Sequence, residues 1–174
     1  MKRERTRDES TGTIWALSQV HWQFFVTIAL PHVPGVGNRA QPIWNGFRGR
    51  LAKEVRILKR RPLLWVVALE WGKSRSNPHL HALISGLPRE LQPESLIRAM
   101  EAIGRKLGTP DVVARTYDDR LGAVAYLFKE YDQPHPRLSS SDGRWPMISD
   151  SVWNVLRRHP DSRSGSFSKG RADA

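Results

Sequence analysis

The sequence predicts an α+β domain: an antiparallel sheet with helices packed on one face, in the split βαβ or ferredoxin-like arrangement. Two observations lead to this fold class. Short β-branched and aromatic runs alternate with longer segments of helical periodicity, in the order β-α-β-β-α-β. In addition, the polar segment GKSRSN joins two of the strand-like runs, which is typical of a β-hairpin.

The first half of the domain contains one strand, one helix and a second strand. HWQFFVTIAL (His21–Leu30) is rich in β-formers and stops at Pro31, which predicts a strand. A loop rich in Pro and Gly follows, and Pro42 is placed to open a helix. The second strand is LLWVVALEW, Leu63–Trp71. The apolar face of the helix comprises Ile43, Phe47, Leu51, Val55 and Leu58.

The second half continues from the hairpin turn with PHLHALIS, Pro78–Ser85, as the next strand. A helix is expected from Pro93 to about Leu107, a short strand over Asp111–Tyr117 and a helix from Leu121 to about Tyr131. A further helix is expected near Ser149–Arg158. We therefore divide the chain into a flexible arm (1–13), one domain (14–133), and a C-terminal extension (134–174) that is partly helical with a disordered tail.

Composition excludes several function classes. The 174 residues include no cysteine, which excludes disulfides, thiol chemistry and Cys-ligated zinc. No apolar run approaches the roughly 18–20 residues that span a bilayer, and no apolar segment follows the N-terminal charges. We therefore expect a soluble, cytoplasmic protein with no membrane partner.

The net charge of +11 indicates a polyanionic partner, nucleic acid in preference to membrane. Residues 42–61 hold seven Arg and Lys residues against a single Glu, a density more typical of a phosphate-backbone contact than of a solvated helix face. The candidate nucleic-acid-binding residues are Arg48, Arg50, Lys53, Arg56, Lys59 and Arg60.

Two histidines and a glutamate form a candidate metal site. His79 and His81 are two apart on a predicted strand, so both imidazoles point to the same face. Glu70 ends the preceding strand, and hairpin pairing would bring it near His79. Imidazole with carboxylate suits several divalent ions. Taken alone, the His pair is equally typical of surface histidines, and Glu70 of a solvated carboxylate or one paired with Lys73.

A candidate nucleophile lies on the helix after the fourth strand. With no cysteine, the options are Ser, Lys, Tyr or an activated water. Tyr126 and Lys129 are three residues apart and share a helix face, so the ammonium would lie beside the phenol. A cation and a metal ion would each favour phenolate. The simpler interpretation is a packed tyrosine with a solvated lysine.

Taken together, FFVTIAL, Glu70 nine residues before His79 of PHLHALI, and AYLFK resemble the three ordered motifs of the HUH endonucleases. Because the tyrosine follows the histidines, the order is more similar to rolling-circle replication initiators (Rep proteins) than to conjugative relaxases. The resemblance covers roughly Trp22 to Tyr131. It implies a ferredoxin-like sheet, with His79, His81 and Glu70 as metal ligands, Tyr126 as nucleophile and Lys129 as its helper.

The same resemblance implies a divalent ion, Mn²⁺ or Mg²⁺ rather than Zn²⁺. It also implies single-stranded DNA, at an origin or in a hairpin, that is nicked and rejoined through a 5′-phosphotyrosine. Tyr131 lies five residues after Tyr126 and faces elsewhere on a helix, so a single-tyrosine enzyme is expected. The sequence has no P-loop, so replication would need a separate helicase. The candidates for base stacking are Trp22, Trp44 and Trp71.

Three alternatives stay open. A small HUH-type tyrosine transposase would use the same chemistry on hairpin DNA ends. A non-catalytic nucleic-acid-binding ferredoxin-like domain would show aromatic residues on its two central strands and no metal dependence. A hydrolase that activates water on a metal ion would leave Tyr126 dispensable.

Overall fold

The computed structural model describes residues 7–31, 36–55, 62–71, 78–129 and 146–157. The helices are α1 (Arg7–Ser18), α2 (Val36–Glu54), α3 (Pro93–Lys106), α4 (Ala123–Leu127) and α5 (Asp150–Leu156). The strands are β1 (Phe24–Ala29), β2 (Leu64–Glu70), β3 (His79–Ser85), β4 (Val112–Thr116) and β5 (Met147–Ile148). A single 3-10 turn, Asp119–Leu121, precedes α4.

The strands form one sheet in the order β4-β1-β3-β2-β5, and all four neighbouring pairs are antiparallel. Helix α2 connects β1 to β2, and helix α3 connects β3 to β4. This is the split βαβ connectivity, so the predicted α+β, ferredoxin-like fold is confirmed. The two-residue strand β5, which extends the sheet beyond β2, was not expected from the sequence.

Alternation along the strands gives the sheet two faces, which we call the helix face and the site face. Helices α2 and α3 cover the helix face and enclose the larger hydrophobic cluster. Its fully buried members include Val26, Ile28, Trp44, Phe47, Val67, Leu80, Ile84 and Met100. The expected pair of helices on one face is therefore present, and it supplies most of the apolar burial.

A second, smaller cluster lies on the site face. Residues of α1, α4 and α5 pack there around Phe25, Val66 and Leu83 of the sheet. These helices are short, and polar or aromatic side chains of β1, β2 and β3 remain beside them. The site face is therefore only partly covered, and it carries the candidate active-site residues described below.

The N-terminal part of the chain differs from the expectation of a loose arm over 1–13, because α1 begins at Arg7. Ala16 and Leu17 are buried, and they belong to the same cluster as Val124 and Leu127 of α4. Contacts with residues far away in the sequence therefore stabilise a helix whose first half is polar.

Helix α2 also differs from the expectation, since it begins at Val36 and holds Pro42 in its interior. Two buried residues on one face of the helix explain the extension. Ala40 and Trp44 are fully buried four residues apart, on either side of the proline. Their packing against the sheet offsets the missing N–H of Pro42, which normally disfavours a helix interior.

Two sequence-based expectations concern residues outside the described part: the hairpin turn 72–77 and most of the extension after Pro134. The helix expected from Leu121 to about Tyr131 is shorter than predicted, because left-handed Gly122 separates the 3-10 turn Asp119–Leu121 from α4, and α4 ends at Leu127. Within the described residues, α5 forms where a helix near Ser149–Arg158 was expected. No helix in the described ranges combines the length and apolar character needed to cross a membrane.

We predict that Gly104→Ala destabilises the fold while Gly49→Ala does not. A Cβ on Gly104 would lie 2.1 Å from Val112 Cγ2, between α3 and β4, and overpacking of this kind costs about 1–3 kcal/mol. A Cβ on Gly49, also in a helix, would meet no atom within 4 Å, so the alanine should gain up to about 1 kcal/mol of helix propensity. Urea unfolding measures both variants, and equal stabilities would contradict this packing.

Candidate active site

Strand pairing brings Glu70, His79 and His81 to the same end of the site face. Glu70 is the last residue of β2 and lies opposite His79 in the β2–β3 register, as the sequence predicted. His81 lies opposite Ala68. The His79 and His81 rings are roughly parallel, with centroids 6.0 Å apart. The two imidazoles therefore share a face, as expected for residues two apart on a strand.

The Glu70 carboxylate is the centre of the site. Its Oε2 accepts a hydrogen bond from the Tyr126 hydroxyl at 2.6 Å and lies 2.9 Å from His81 Nε2. Its Oε1 accepts a hydrogen bond from Lys129 Nζ at 2.6 Å. Burial by itself raises the pKa of Glu70, but the hydrogen bonds from Lys129 and Tyr126 outweigh it and lower that pKa overall. Glu70 is therefore anionic at neutral pH.

His81 is held from both sides. Its Nδ1 lies 3.0 Å from the Thr27 hydroxyl on β1, and its ring stacks on Phe25 at a centroid distance of 5.7 Å. Burial lowers the pKa of His81 to about 4, although the charge of Glu70 acts in the opposite direction. His81 is therefore neutral at pH 7, and its contact with Glu70 is a hydrogen bond rather than an ion pair. A neutral imidazole is also the form that ligates metals.

Helix α4 presents the third part of the site. Gly122, at a φ of +61°, takes the left-handed conformation that turns the chain from the 3-10 segment into α4. Tyr126 lies on this helix with 39% of its surface exposed. Lys129 follows it, with Nζ 3.8 Å from the centroid of the Tyr126 ring. The predicted proximity of ammonium and phenol is confirmed.

Lys129 favours a Tyr126 phenolate, as expected, but other contacts of the phenol outweigh this effect. Burial and the hydrogen bond to Glu70 raise the pKa of Tyr126, and the contact with Lys129, which lowers it, does not compensate. Tyr126 is therefore a protonated phenol whose proton points at a carboxylate. That carboxylate is an acceptor already in place for the proton if the phenol oxygen forms a new bond.

The side chains at this end of the sheet offer the types of oxygen and nitrogen donor that bind divalent cations. A carboxylate and two imidazoles are a common ligand set, and His81 is in the neutral form that such a set requires. In the described part of the chain, however, no three His, Cys, Asp or Glu side chains converge on one point. The Glu70 oxygens instead contact Tyr126, Lys129 and His81.

A pocket of about 240 Å³ lies beside Tyr126 and His81 on the site face. Phe25, Leu121 and Ala123 give it apolar walls, and Arg115 of β4 borders it. The sequence analysis singled out none of these residues. It also missed Thr27, although a hydroxyl in the otherwise apolar strand FFVTIA was a signal that could have been followed.

The described residues of the predicted nucleic-acid-binding cluster, Arg48, Arg50 and Lys53, belong to a helix on the opposite face of the sheet from this pocket. Helix α2 packs on the helix face, and Arg48 stays close to the sheet there, with its guanidinium 5.4 Å from the Trp65 ring. Arg50 and Lys53 are exposed on the same helix. The predicted contacts Arg56, Lys59 and Arg60 are outside the described residues, as is Tyr131.

The tryptophans proposed for base stacking are contradicted by their burial. Trp22 and Trp71 are less than a tenth exposed. Trp44, which is a residue of α2, is fully buried. Their rings contribute to the two hydrophobic clusters, which is the commoner fate of tryptophan. None of the three offers a face to a nucleobase.

Comparisons of the chain with protein-family models, with curated proteins and with solved structures find no match. The functional interpretation therefore depends on the geometry of the site and on the motifs in the sequence.

We predict that Thr27→Val disturbs His81 while Thr27→Ser does not. Because His81 Nε2–H donates to the Glu70 carboxylate, Nδ1 accepts from the Thr27 hydroxyl, whereas valine leaves this partly buried nitrogen without a partner at a cost of about 1–3 kcal/mol. Urea unfolding and the ¹⁵N shifts of the imidazole measure the effect. Unchanged His81 shifts in Thr27→Val would show that the hydroxyl does not orient the ring.

Proposed function

We propose that this protein nicks and rejoins single-stranded DNA with the help of a divalent metal ion, through a tyrosine–DNA intermediate, as a rolling-circle replication initiator of a plasmid, phage or related element does. The observation that carries the proposal is the Glu70 carboxylate, which contacts His81, Tyr126 and Lys129 at the same time. Residues from the second and third motifs of the HUH resemblance thus meet within hydrogen-bond distance, and Thr27 of the first motif lies 3.0 Å from His81 Nδ1.

The chemistry proposed is a transesterification. The Tyr126 oxygen forms a bond to the scissile phosphorus, and the bond from phosphorus to the 3′ oxygen breaks, which leaves a 5′-phosphotyrosine and a 3′-hydroxyl. The phenolic proton passes to Glu70 Oε2, which already accepts its hydrogen bond, and the leaving 3′ oxygen takes up a proton. Attack by a 3′-hydroxyl on the phosphotyrosine reverses each step and rejoins the strand.

Lys129 supports this reaction through charge. Its ammonium lies close to the Tyr126 ring and is hydrogen-bonded to Glu70, so it stays cationic beside the reacting oxygen. Burial by itself lowers the pKa of Lys129, but the hydrogen bonds and charge interactions with Glu70 and Tyr126 together raise that pKa overall. A fixed cation here stabilises the negative charge that develops on the phenol oxygen and the phosphate.

A divalent ion would be held by Glu70, His79 and His81, with Mn²⁺ or Mg²⁺ preferred over Zn²⁺. When bound, it would polarise the scissile phosphodiester as a Lewis acid. The support for this assignment is the kind of donor atoms, the neutral state of His81 and the register that sets His79 opposite Glu70.

The alternatives differ in what they require of Tyr126. A binding module needs neither a phenol hydrogen-bonded to a partly buried carboxylate nor a lysine beside it, and a water-activating hydrolase does not need the phenol. The Glu70–Tyr126 contact therefore favours covalent chemistry. A tyrosine transposase would use the same residues, and the nature of the DNA ends it joins would distinguish it.

We predict that Tyr126→Phe abolishes a covalent protein–DNA adduct. Wild-type protein, incubated with a diverse pool of labelled single-stranded DNA and Mn²⁺, should give a labelled species of higher mass on a denaturing gel. The variant lacks the oxygen that bonds to phosphorus, so its adduct should be absent. Tyr131→Phe is the matched control and should keep the adduct, because the proposed enzyme uses one tyrosine.

Two outcomes would contradict the proposal in different ways. Cleavage that survives Tyr126→Phe without an adduct would indicate a water-using hydrolase. Binding of the pool with no cleavage by the wild-type protein would indicate a non-catalytic module.

We also predict that cleavage is lost with EDTA and falls more than about 100-fold in His79→Ala and His81→Ala. Groups that merely orient a metal ligand are already worth about 10–100-fold. His21→Ala, which removes an exposed imidazole, should cleave at the wild-type rate. Isothermal titration with Mn²⁺ provides a second readout, in which only the His79 and His81 variants should bind the ion more weakly. Undiminished Mn²⁺ binding by both variants would exclude these residues as ligands.

A further inference from the structure

The positive charges of the described residues are divided between the two faces of the sheet. The cluster on α2, which the sequence suggested as the DNA contact, belongs to the helix that covers the helix face. Tyr126 and Glu70 lie on the site face. A DNA strand bound at Tyr126 therefore needs positive charge on the site face itself.

Arg115 supplies such a charge. It lies on β4 opposite Phe25 in the β1–β4 register, with its guanidinium 5.1 Å from the centroid of the Phe25 ring. It is exposed, and within the described part of the chain it has no carboxylate partner. The neighbouring carboxylate of Asp118 is already paired with Arg120 at 3.2 Å. Arg115 is thus available to an anionic ligand.

The pocket next to Arg115 has the chemistry of a base-binding site. Phe25 and Leu121 form apolar walls, and Leu121 is 65% exposed although it is a large apolar residue. Tyr126 and His81 border the same space. At about 240 Å³ the pocket is below the usual range of about 300–1,000 Å³ for drug-sized ligands, so it suits one base rather than a larger molecule.

We infer that this pocket binds the nucleotide next to the scissile phosphate of single-stranded DNA. The base packs against Phe25 and Leu121, and Arg115 contacts the backbone phosphate. A base must leave the stack to enter, which selects single strands over duplex, and its flat apolar surface suits aromatic and aliphatic walls. The position next to the scissile phosphate rests on the proposed function, whereas the binding of single strands at Arg115 does not.

The test measures binding without cleavage. Fluorescein-labelled oligodeoxythymidylate, alone or annealed to oligodeoxyadenylate, is titrated in EDTA with the full chain, and fluorescence anisotropy gives Kd at several salt concentrations. We expect Arg115→Ala to weaken single-strand binding about tenfold and to reduce the slope of log K against log salt by about 0.7, the value for one phosphate contact on a single strand. Arg105→Ala, an exposed arginine of α3 on the helix face, is the matched control and should change neither.

Leu121→Ser tests the apolar wall independently of charge. This side chain is mostly exposed, so the change should not unfold the protein, and thermal melting checks that it has not. We expect about a fivefold to tenfold loss of single-strand affinity with an unchanged salt slope, because the base loses part of its apolar contact while the phosphate contact stays. Leu91→Ser, another exposed leucine, should bind as the wild type does.

The outcomes separate this inference from the proposed function. If Arg50→Ala reduces affinity and salt slope while Arg115→Ala does not, α2 is the DNA surface and the inference is overturned. Equal affinity of the wild type for single strand and duplex overturns it as well. If Arg115→Ala and Leu121→Ser weaken binding but no Tyr126-dependent adduct forms, the pocket inference stands and the nickase proposal fails.

Discussion

The partly buried carboxylate of Glu70 is the constraint on which the candidate site depends. A carboxylate withdrawn from water is costly unless charged and hydrogen-bonding groups compensate it, and here they come from β3, from α4 and from Lys129 just beyond α4. The same contacts fix α4, a helix of only five residues, against the end of β2. Electrostatic compensation of one acid therefore brings a phenol, a cation and an imidazole together.

The parts of this arrangement that were predictable from sequence are those that follow from local geometry. Alternation on a strand places His79 and His81 on one face, and a short hairpin connection sets Glu70 opposite His79. Spacing of three residues predicted Lys129 beside Tyr126, and the turn that follows α4 keeps the two side chains together although Lys129 lies beyond the end of the helix. The order of strands and helices likewise follows from periodicity, which is why the fold class could be predicted before any contact was known.

The other features of the fold and the site depend on contacts between residues far apart in the sequence. The periodicity of a single segment does not reveal such contacts. Thr27 reaches His81, and Arg115 reaches Phe25, because β1 pairs with both β3 and β4. Helix α1 and the first turns of α2 are stabilised by burial of residues such as Leu17 and Ala40, although polar residues and Pro42 disfavour helix locally. Density of charge suggested α2 as the DNA surface, but charge density does not reveal which face of the sheet a helix covers.

The topology explains why the site lies where it does. Both crossover helices of a split βαβ unit pack on the same side of the sheet, because each β-α-β crossover is right-handed. These two helices cover the apolar side chains that point to one face of the sheet. The side chains on the other face are covered only in part, by α1, α4 and α5. Residues with chemical functions can accumulate on that second face without weakening the main core. Tyr126, Glu70, His81 and the pocket at Arg115 all lie there, on the side of the sheet opposite α2 and its basic residues Arg48, Arg50 and Lys53.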